Sequence, residues 1–414
     1  MTLDSDPART RIDLSVLHSL DADALAAATD AAGLEVPPGA GRGERIAALF
    51  AHQIGEDGTG HVEGVLDLLP DGFGFIRQTA ADWAPMPCDP FVNQAQVKRL
   101  NLRPGHRVAG PVRAPRGAER FFALQHVERV NGADPDARDP RVPFAERTPI
   151  LPHERLHLRG DGRFDDLALV ELLAPWGRGQ RVLLATPPSF ERASWLVAAA
   201  AALRAAQPEL LATVCLLDQR PEDAAAARRR GAAAGCTVVA TTFDEPTSRH
   251  IAVADLALAA AQRDVEAGRH VVLALDSLTS FARACNVEQE PSGRLLCAGL
   301  DAVATQRGKR LFGAARTCEE GGSLTVIAAA VASDDRVDRA VLDEFLRRGN
   351  SEVVFTANGV LDVVHTATRN EDLLLSREVR DRLRAVRAEL TAIPHASPEA
   401  RHARAVELWR TARA

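Results

Sequence analysis

The sequence predicts a multidomain chain of mixed α+β and α/β class: a small N-terminal helical bundle, a five-stranded β-barrel, and a larger α/β domain closed by C-terminal helices. Three observations carry this. Apolar residues at helical spacing fill 12–54 (Leu14, Leu17, Leu20, Leu25, then Ile46, Leu49, Phe50). From His61 to Val130 the pattern changes to short β-type runs divided by Gly, Pro and Asp turns. Beyond residue 153, apolar runs suited to strands buried on both faces alternate with helical stretches, which implies a parallel sheet covered by helices.

A chain of 414 residues exceeds the roughly 250–300 residues at which single cores stop growing, so several domains are expected. Their expected bounds are 1–57 for the helices, 58–131 for the barrel, 132–152 for a linker, and 153–414 for the α/β domain. The linker rests on "NGADPDARDPRVPFAERTPILP", rich in Pro, Asp and Arg and without periodicity. Hydrophobic content of 46% and charged content of 26% describe a soluble globular protein. The first fifteen residues carry acids and no apolar core, and no apolar run reaches the roughly 18 residues of a membrane span. Six scattered cysteines without a CxxC pair suit reduced thiols, so the cytoplasm is the expected compartment. The net charge of −6 argues against a general nucleic-acid binder, yet residues 97–130 hold eight Lys and Arg against two Glu, a local excess of six positive charges.

The β-type runs "HVEGVLDLL", "FGFIR", "PFV", "HRVAGPVR" and "RFFALQHVERV" give five short strands in about 70 residues, the size of a closed oligonucleotide-binding barrel. In "DGFGFIR", Phe73 and Phe75 fall on one face of a strand, and Gly72 and Gly74 are expected to leave the space beside them open. Two rings flanked by Arg77 form a platform on which unpaired bases can stack, at about 1–3 kcal/mol per base. Phe91, and Phe121 beside Glu119 and Arg120, extend it. The competing reading makes these rings the barrel core.

In the α/β region the buried strands are read from "RVLLA", "TVCLLD", "CTVVATTF", "HVVLALDS" and "LTVIAAAV". Asp276 ends one of them, the form of a Walker B acid at the carboxyl edge of an open sheet, although a strand-ending Asp is also a common helix cap. Asp218, Gln219 and Arg220 end a second strand at the same edge. Both converge on "RVLLATPPSFERAS" (181–194), a strand, a proline-bearing loop and a helix, where a phosphate loop would end in Gly-Lys-Ser/Thr.

Long stretches in order and spacing resemble the bacterial transcription termination factor Rho family: "DGFGFIR", "VKRLNLRPGHRVAG", "GAERFFAL", "GRGQR", "TFDEPTSRH", "LDSLTSFARACN", "KRLFGAAR", "EEGGSLTVIA" and "TRNEDLLL". The resemblance implies a cold-shock-like OB-fold barrel that holds single-stranded RNA, and a RecA-like P-loop NTPase domain assembled as a six-membered ring. That ring moves RNA with ATP and Mg²⁺, unwinds RNA–DNA hybrid and dislodges RNA polymerase. It implies RNA contacts at Phe73, Phe75, Arg77, Asp89, Phe91, Glu119, Arg120 and Phe121, and in a central loop at Arg294, Leu295 and Gly299. Nucleotide contacts are implied at Gly177, Arg178, Gly179, Gln180, Arg181, Ser189, Arg192, Ala193, Ser194 and Arg220. Asp276 takes the Walker B role, Gln219 the position of the catalytic glutamate, and Arg369 that of an arginine finger.

The chain departs from the family where hydrolysis is performed. Family members read roughly "APPKAGKT" where this chain reads "TPPSFERA". Arg192 keeps the lysine's charge but replaces a compact ammonium by a planar fork. Glu191 replaces a glycine and sets a carboxylate near the phosphates, at a cost on the order of a few kcal/mol per close charge pair. Ala193 replaces the threonine that holds Mg²⁺, so no metal ligand set is intact; Ser194 is one residue late. Gln219 can orient water but cannot take its proton, a role typically worth about 10²–10⁴ in rate. The central loop "SGRLLCAGLD" carries Arg294 for Lys and Ala298 for Gly, "EFLRRGN" has Leu346 for Lys, and the segment from Asn350 to Arg369 is several residues short. Lysine occurs only at 98 and 309, so a general preference for arginine accounts for Arg192 and Arg294, but not for Glu191, Ala193 or Gln219. Three readings stay open: a divergent terminator that still turns over ATP, a pseudo-ATPase that binds RNA and regulates through homohexameric or mixed rings with an intact Rho, and a paralog that folds and does neither.

Overall fold

The structure is a computed structural model that describes residues 12–37, 39–55, 58–136, 142–158, 165–297, 299–393 and 396–413. It divides into two compact units, residues 1–140 and 141–414.

In the first unit, three helices, Leu14–Ser19, Ala22–Ala31 and Arg42–Ile54, start at polar caps. Asp13 accepts the N–H of Ser15 and Asp21 that of Ala24, each at 2.8 Å, and Glu44 reaches back to the N–H of Gly41. The barrel follows as β1 (Gly60–Leu68), β2 (Gly74–Arg77), β3 (Phe91–Val92), β4 (Arg107–Arg113) and β5 (Ala123–Leu124). Antiparallel ladders join β1 to β2, β2 to β3, β5 to β4 and β4 to β1, and a parallel bridge joins β3 to β5, which closes the barrel. All five strands coincide with the runs read from the sequence. The helices do not form a core of their own: Leu14, Leu25, Ile46 and Phe50 bury together with Val62, Leu66, Ile76, Val108 and Phe122 in one cluster. Helical periodicity shows which face of each helix is apolar, but not what that face covers.

In the second unit, a parallel sheet is built from β6 (Arg181–Thr186), β7 (Leu211–Gln219), β8 (Thr237–Thr242), β9 (His270–Asp276), β10 (Ser323–Val331) and β11 (Ser351–Val354), in spatial order β8-β7-β9-β10-β6-β11. Helices Arg192–Ala206, Pro221–Ala233, Thr247–Glu266 and Leu278–Glu288 connect the strands, and Arg377–Ala392 and Pro398–Arg413 close the chain. Five of the six strands coincide with the apolar runs of the sequence. β11 has no such run, because it is four residues long and shows no alternation that sets it apart from the loop around it.

The linker expected over 132–152 is in large part packed structure. Residues 137–141 lie outside those described, but Phe144 is buried and Pro149–Ile150 pairs as a strand with Arg316–Cys318. The guanidinium of Arg147 donates to the carbonyls of Val265, Glu266 and Gly321. A Pro- and Asp-rich composition disguises a segment that satisfies three carbonyls of the α/β unit.

Candidate functional site

Strand alternation sets the barrel face. In β2, Phe75 and Arg77 project to one side, while Ile76 projects to the other and is fully buried in the barrel core. Phe73, Phe75, Phe91 and Phe121 form one cluster outside that core, with centroid separations of 6.1 Å (Phe73–Phe75), 5.3 Å (Phe73–Phe91), 6.0 Å (Phe75–Phe91) and 5.0 Å (Phe75–Phe121). The core aromatics are other residues, Phe50 and Phe122. Neighbouring positions separate the two roles: Phe121 is 43% exposed and Phe122 only 2%.

Arg77 and Asp89, expected at the RNA, are both buried, and Arg77 lies against the Phe75 ring. The Arg77 guanidinium carbon stands 5.0 Å from the Phe75 centroid; Nη1 donates to Asp89 Oδ2 at 2.8 Å, and Nε donates to Asp67 Oδ2 at 3.0 Å. Asp89 Oδ2 also accepts the N–H of Met86 at 2.8 Å. Burial pushes the Asp89 carboxyl up to about 6, against the pull of Arg77. Asp67 is not singled out by any sequence motif, although it sits directly across the β1–β2 ladder from Phe75 and the hairpin register points to it.

The glycines beside the rings do not leave open space. A Cβ on Gly74 would stand 2.6 Å from the carbonyl oxygen of Asp67, and one on Gly72, at φ +83°, 2.8 Å from Gln94 Nε2. They permit close backbone approach. Glu119 is held by Arg113, whose Nη1 and Nη2 donate to its two oxygens at 2.5 and 2.8 Å, and by the N–H of Arg116 at 3.0 Å. The Arg113 hydrogen bonds keep its carboxyl well down, at about 2. Arg120 and Phe121 stay exposed beside it.

In the α/β unit, Thr186, Gln219 and Asp276 end β6, β7 and β9 at the carboxyl edge of the sheet, where open α/β folds bind ligands. The loop after Thr186 leads into the helix Arg192–Ala206, with Glu191 exposed at its cap position and making no capping hydrogen bond. Arg192 turns inward: Nε donates to Asp276 Oδ1 at 2.9 Å. The Gln219 amide donates to Asp276 Oδ2 at 3.3 Å and to the Leu217 carbonyl at 2.8 Å. Both oxygens of a carboxylate that is 2% exposed are thus engaged by the chain itself. Burial raises the Asp276 pKa, opposed first by Arg192.

The residues present do not fit a Mg²⁺ ion. Ala193 offers no hydroxyl, Ser194 Oγ accepts from Arg230 Nη1 at 2.9 Å, and Asp276 is engaged as described. Ser189 is exposed in the turn. Phe190, which no sequence motif marks, packs on Phe355 at 4.3 Å between centroids, and Phe355 meets Trp195 at 6.0 Å, so the loop is pinned to the domain core by aromatic contact.

Other expected contacts lie elsewhere. Gly177 to Arg181 precede or begin β6, at the amino edge of the sheet, roughly 17 Å along the strand from the loop. Their groups are used structurally: Gln180 Nε2 donates to Asn350 Oδ1 at 2.8 Å, the Gly179 N–H to Thr325 Oγ1 at 2.8 Å, and Arg178 Nη2 to Glu209 at 2.6 Å. The nucleotide contact that the resemblance implies for this segment thus falls at the opposite end of β6 from the loop. Arg220, at the cap of Pro221–Ala233, is exposed. Arg369 is 56% exposed in its side chain, 3.9 Å from Glu352. Arg294 and Leu295 stand exposed on the hairpin Leu295–Cys297 and Leu300–Asp301, which Gly299 turns at φ +84°; Ala298 lies outside the described residues.

Comparison with known proteins agrees with both units. Residues 62–136 match the family described as Rho termination factor, RNA-binding domain, and residues 167–358 match the ATP synthase alpha/beta family, nucleotide-binding domain. Among solved structures, a prototypical ATPase from the type III secretion system of pathogenic bacteria superimposes with a TM-score of 0.51 at 19% identity, covering 68% of this chain and 78% of that one, a likeness of fold. Among the described residues no helix is long and apolar enough to cross a membrane. The transcription termination factor Rho of Bacillus subtilis is 38% identical over 85% of this chain and 83% of its own length. With that of Rhodopirellula baltica 36% identical over 92% of this chain and 76% of its own length, the chain belongs to the transcription termination factor Rho family.

Proposed function

We propose that this chain captures single-stranded RNA on the aromatic face of its barrel and assembles into a RecA-type ring in which ATP hydrolysis is weak or lost. The reading rests above all on the Arg192–Asp276 pair with Gln219 on the second oxygen. A Walker B carboxylate acts by organising a metal ion and its water, whereas here it neutralises a guanidinium. The Phe73, Phe75, Phe91 and Phe121 cluster supports the RNA half: Phe121 is exposed, Phe73 and Phe91 are half-buried, and Phe75, itself buried, packs against them, so ring faces at the surface can stack on any base. The experiment is paired: binding of oligo(C) and oligo(U) RNA by the purified chain, and phosphate release from ATP with and without that RNA. RNA binding without turnover is the expected result.

A second reading is favoured by Arg369. Its side chain is exposed and its carboxylate partner, Glu352, is 3.9 Å away, so it is free to serve a neighbouring subunit as arginine fingers do. In this form the chain joins mixed rings with an intact Rho and modulates termination at RNA polymerase in the cytoplasm. Mixing the chain with an intact family member changes that member's RNA-dependent ATPase rate, and Arg369→Ala alters the change.

A further inference from the structure

At the amino edge of the α/β sheet, opposite the phosphate-loop edge, lies a cavity of about 310 Å³ whose walls include Pro149, Ile150, Leu151, Pro152, Arg181 and Arg316. Two guanidiniums share it. Arg181 donates from Nε to the carbonyl of Arg348 at 3.1 Å and from Nη1 to that of Ala315 at 3.2 Å, and Arg316 donates from Nε to the carbonyl of Ala314 at 3.3 Å. Among the described residues that line the cavity there is no carboxylate. Arg316 instead lies over the ring of Phe144, with its guanidinium carbon 4.7 Å from the centroid.

Two positive charges in one cavity without a counter-charge repel each other, and burial and the nearby Arg316 charge depress the Arg181 pKa. Backbone carbonyls take only Nε and Nη1 of Arg181 and Nε of Arg316, so Arg181 Nη2 and both terminal nitrogens of Arg316 keep donors for a ligand. Planar forks of this kind match phosphate oxygens in a bidentate manner. The stretch Pro149 to Pro152 that lines the same cavity is apolar and includes the exposed side chains of Ile150 and Leu151. The volume falls at the lower end of small-molecule sites. Arg316 sits where two strands meet, because Arg316–Cys318 pairs both with β10 and with Pro149–Ile150.

We propose that this cavity is a second anion site, one that binds a phosphate group through Arg181 and Arg316, separate from the phosphate-loop edge and independent of the reading given there. The phosphate can belong to a free nucleotide or to the backbone of RNA, and the probes distinguish the two. The test is calorimetric titration of the full chain with pyrophosphate, with ADP and with a short RNA oligomer. It is repeated on Arg316→Gln, on Arg181→Gln, and on Arg382→Gln, an exposed arginine of the helix Arg377–Ala392, as a control for loss of surface charge. Folding of each variant is checked by its thermal transition. Arg181→Gln removes two bonds to backbone and can lose stability, whereas Arg316→Gln removes one, so Arg316→Gln carries the result. The expected outcome is binding of at least one probe that weakens about tenfold or more in Arg316→Gln and is unchanged in Arg382→Gln. Weakening confined to the RNA oligomer assigns the site to RNA phosphate, and weakening with ADP or pyrophosphate assigns it to a free phosphate ligand. Binding of no probe, or binding that Arg316→Gln leaves intact, overturns the proposal. So does an Arg316→Gln effect on oligomeric state alone, which would give the charges to a contact between copies.

Discussion

Arg192 and Asp276 stand 84 residues apart in sequence and meet at 2.9 Å, a guanidinium from the start of one helix closing on the carboxylate that ends the neighbouring region of the sheet. The pair is three-quarters or more removed from water on both sides, at side-chain exposures of 20% and 3%. Removing one partner therefore strands the other. Buried pairs of this kind cost about 3–5 kcal/mol when halved, so Asp276→Ala is expected to lower the thermal transition markedly while Arg192→Lys costs less. Denaturant unfolding of the two variants checks this.

On the proposed reading, restoring the loop alone is not enough for ATP hydrolysis. With Glu191→Gly, Arg192→Lys and Ala193→Thr together, Asp276 is freed from the guanidinium fork but Gln219 still cannot accept a proton. Adding Gln219→Glu is expected to raise RNA-stimulated phosphate release by about 10²-fold or more over the triple variant. Equal rates in the two would show that Gln219 does not limit hydrolysis.

Adjacent phenylalanines should behave oppositely. Phe121→Ala and Phe75→Ala are expected to weaken single-stranded RNA binding by about 1–3 kcal/mol each, read by fluorescence anisotropy. Phe122→Ala empties a core site and is expected to cost about 3–5 kcal/mol of folding stability.

These roles show how far the sequence carries. Five barrel strands and five of six sheet strands are legible in it, because turn residues punctuate one set and long apolar runs mark the other. The face of β2 is legible too, since alternation alone puts Phe73 and Phe75 together. Distances across the fold are not. The resemblance implies Arg77 and Asp89 as RNA contacts; that they pair with each other, with Arg77 against the Phe75 ring, is not legible, because it depends on the β1–β2 register and the loop holding Asp89. Gly177 to Arg181 are implied as nucleotide contacts by the family's GRGQR lead-in; that they start a strand whose far end carries the loop is not legible from the motif. Ser194 is one residue late for the lost hydroxyl, and that its Oγ accepts from Arg230 of the next helix is not legible in the sequence.

Gly179 separates the structural role of that segment from a ligand role. At φ +87°, a Cβ would stand 2.3 Å from the N–H nitrogen of Thr317. Gly179→Ala is expected to destabilise the fold by about 1–3 kcal/mol from backbone strain, with the clash added. Its readout is the thermal transition measured without nucleotide.

Asp89 gives a pH dependence of defined sign. Its carboxyl is raised from 3.8 to about 6 in the folded chain, so between those values the native state holds more protons than the unfolded state. Stability contributed by this group is present below 3.8 and is lost as pH rises to about 6. Asp89→Asn has no such titration, so its stability relative to the natural chain should increase from about pH 4 to about pH 6.5 and level off above. Parallel pH curves for the two proteins would contradict the assignment.

The proposed reading, RNA capture without a working motor, is decided by one assay, RNA-stimulated ATP hydrolysis by the purified chain. Oligo(C) or oligo(U) is expected to bind while phosphate release stays at the level of Asp276→Asn, with or without Mg²⁺. Mg²⁺-dependent release that RNA accelerates and Asp276→Asn abolishes would contradict the reading of Arg192, Gln219 and Asp276 as a disabled site.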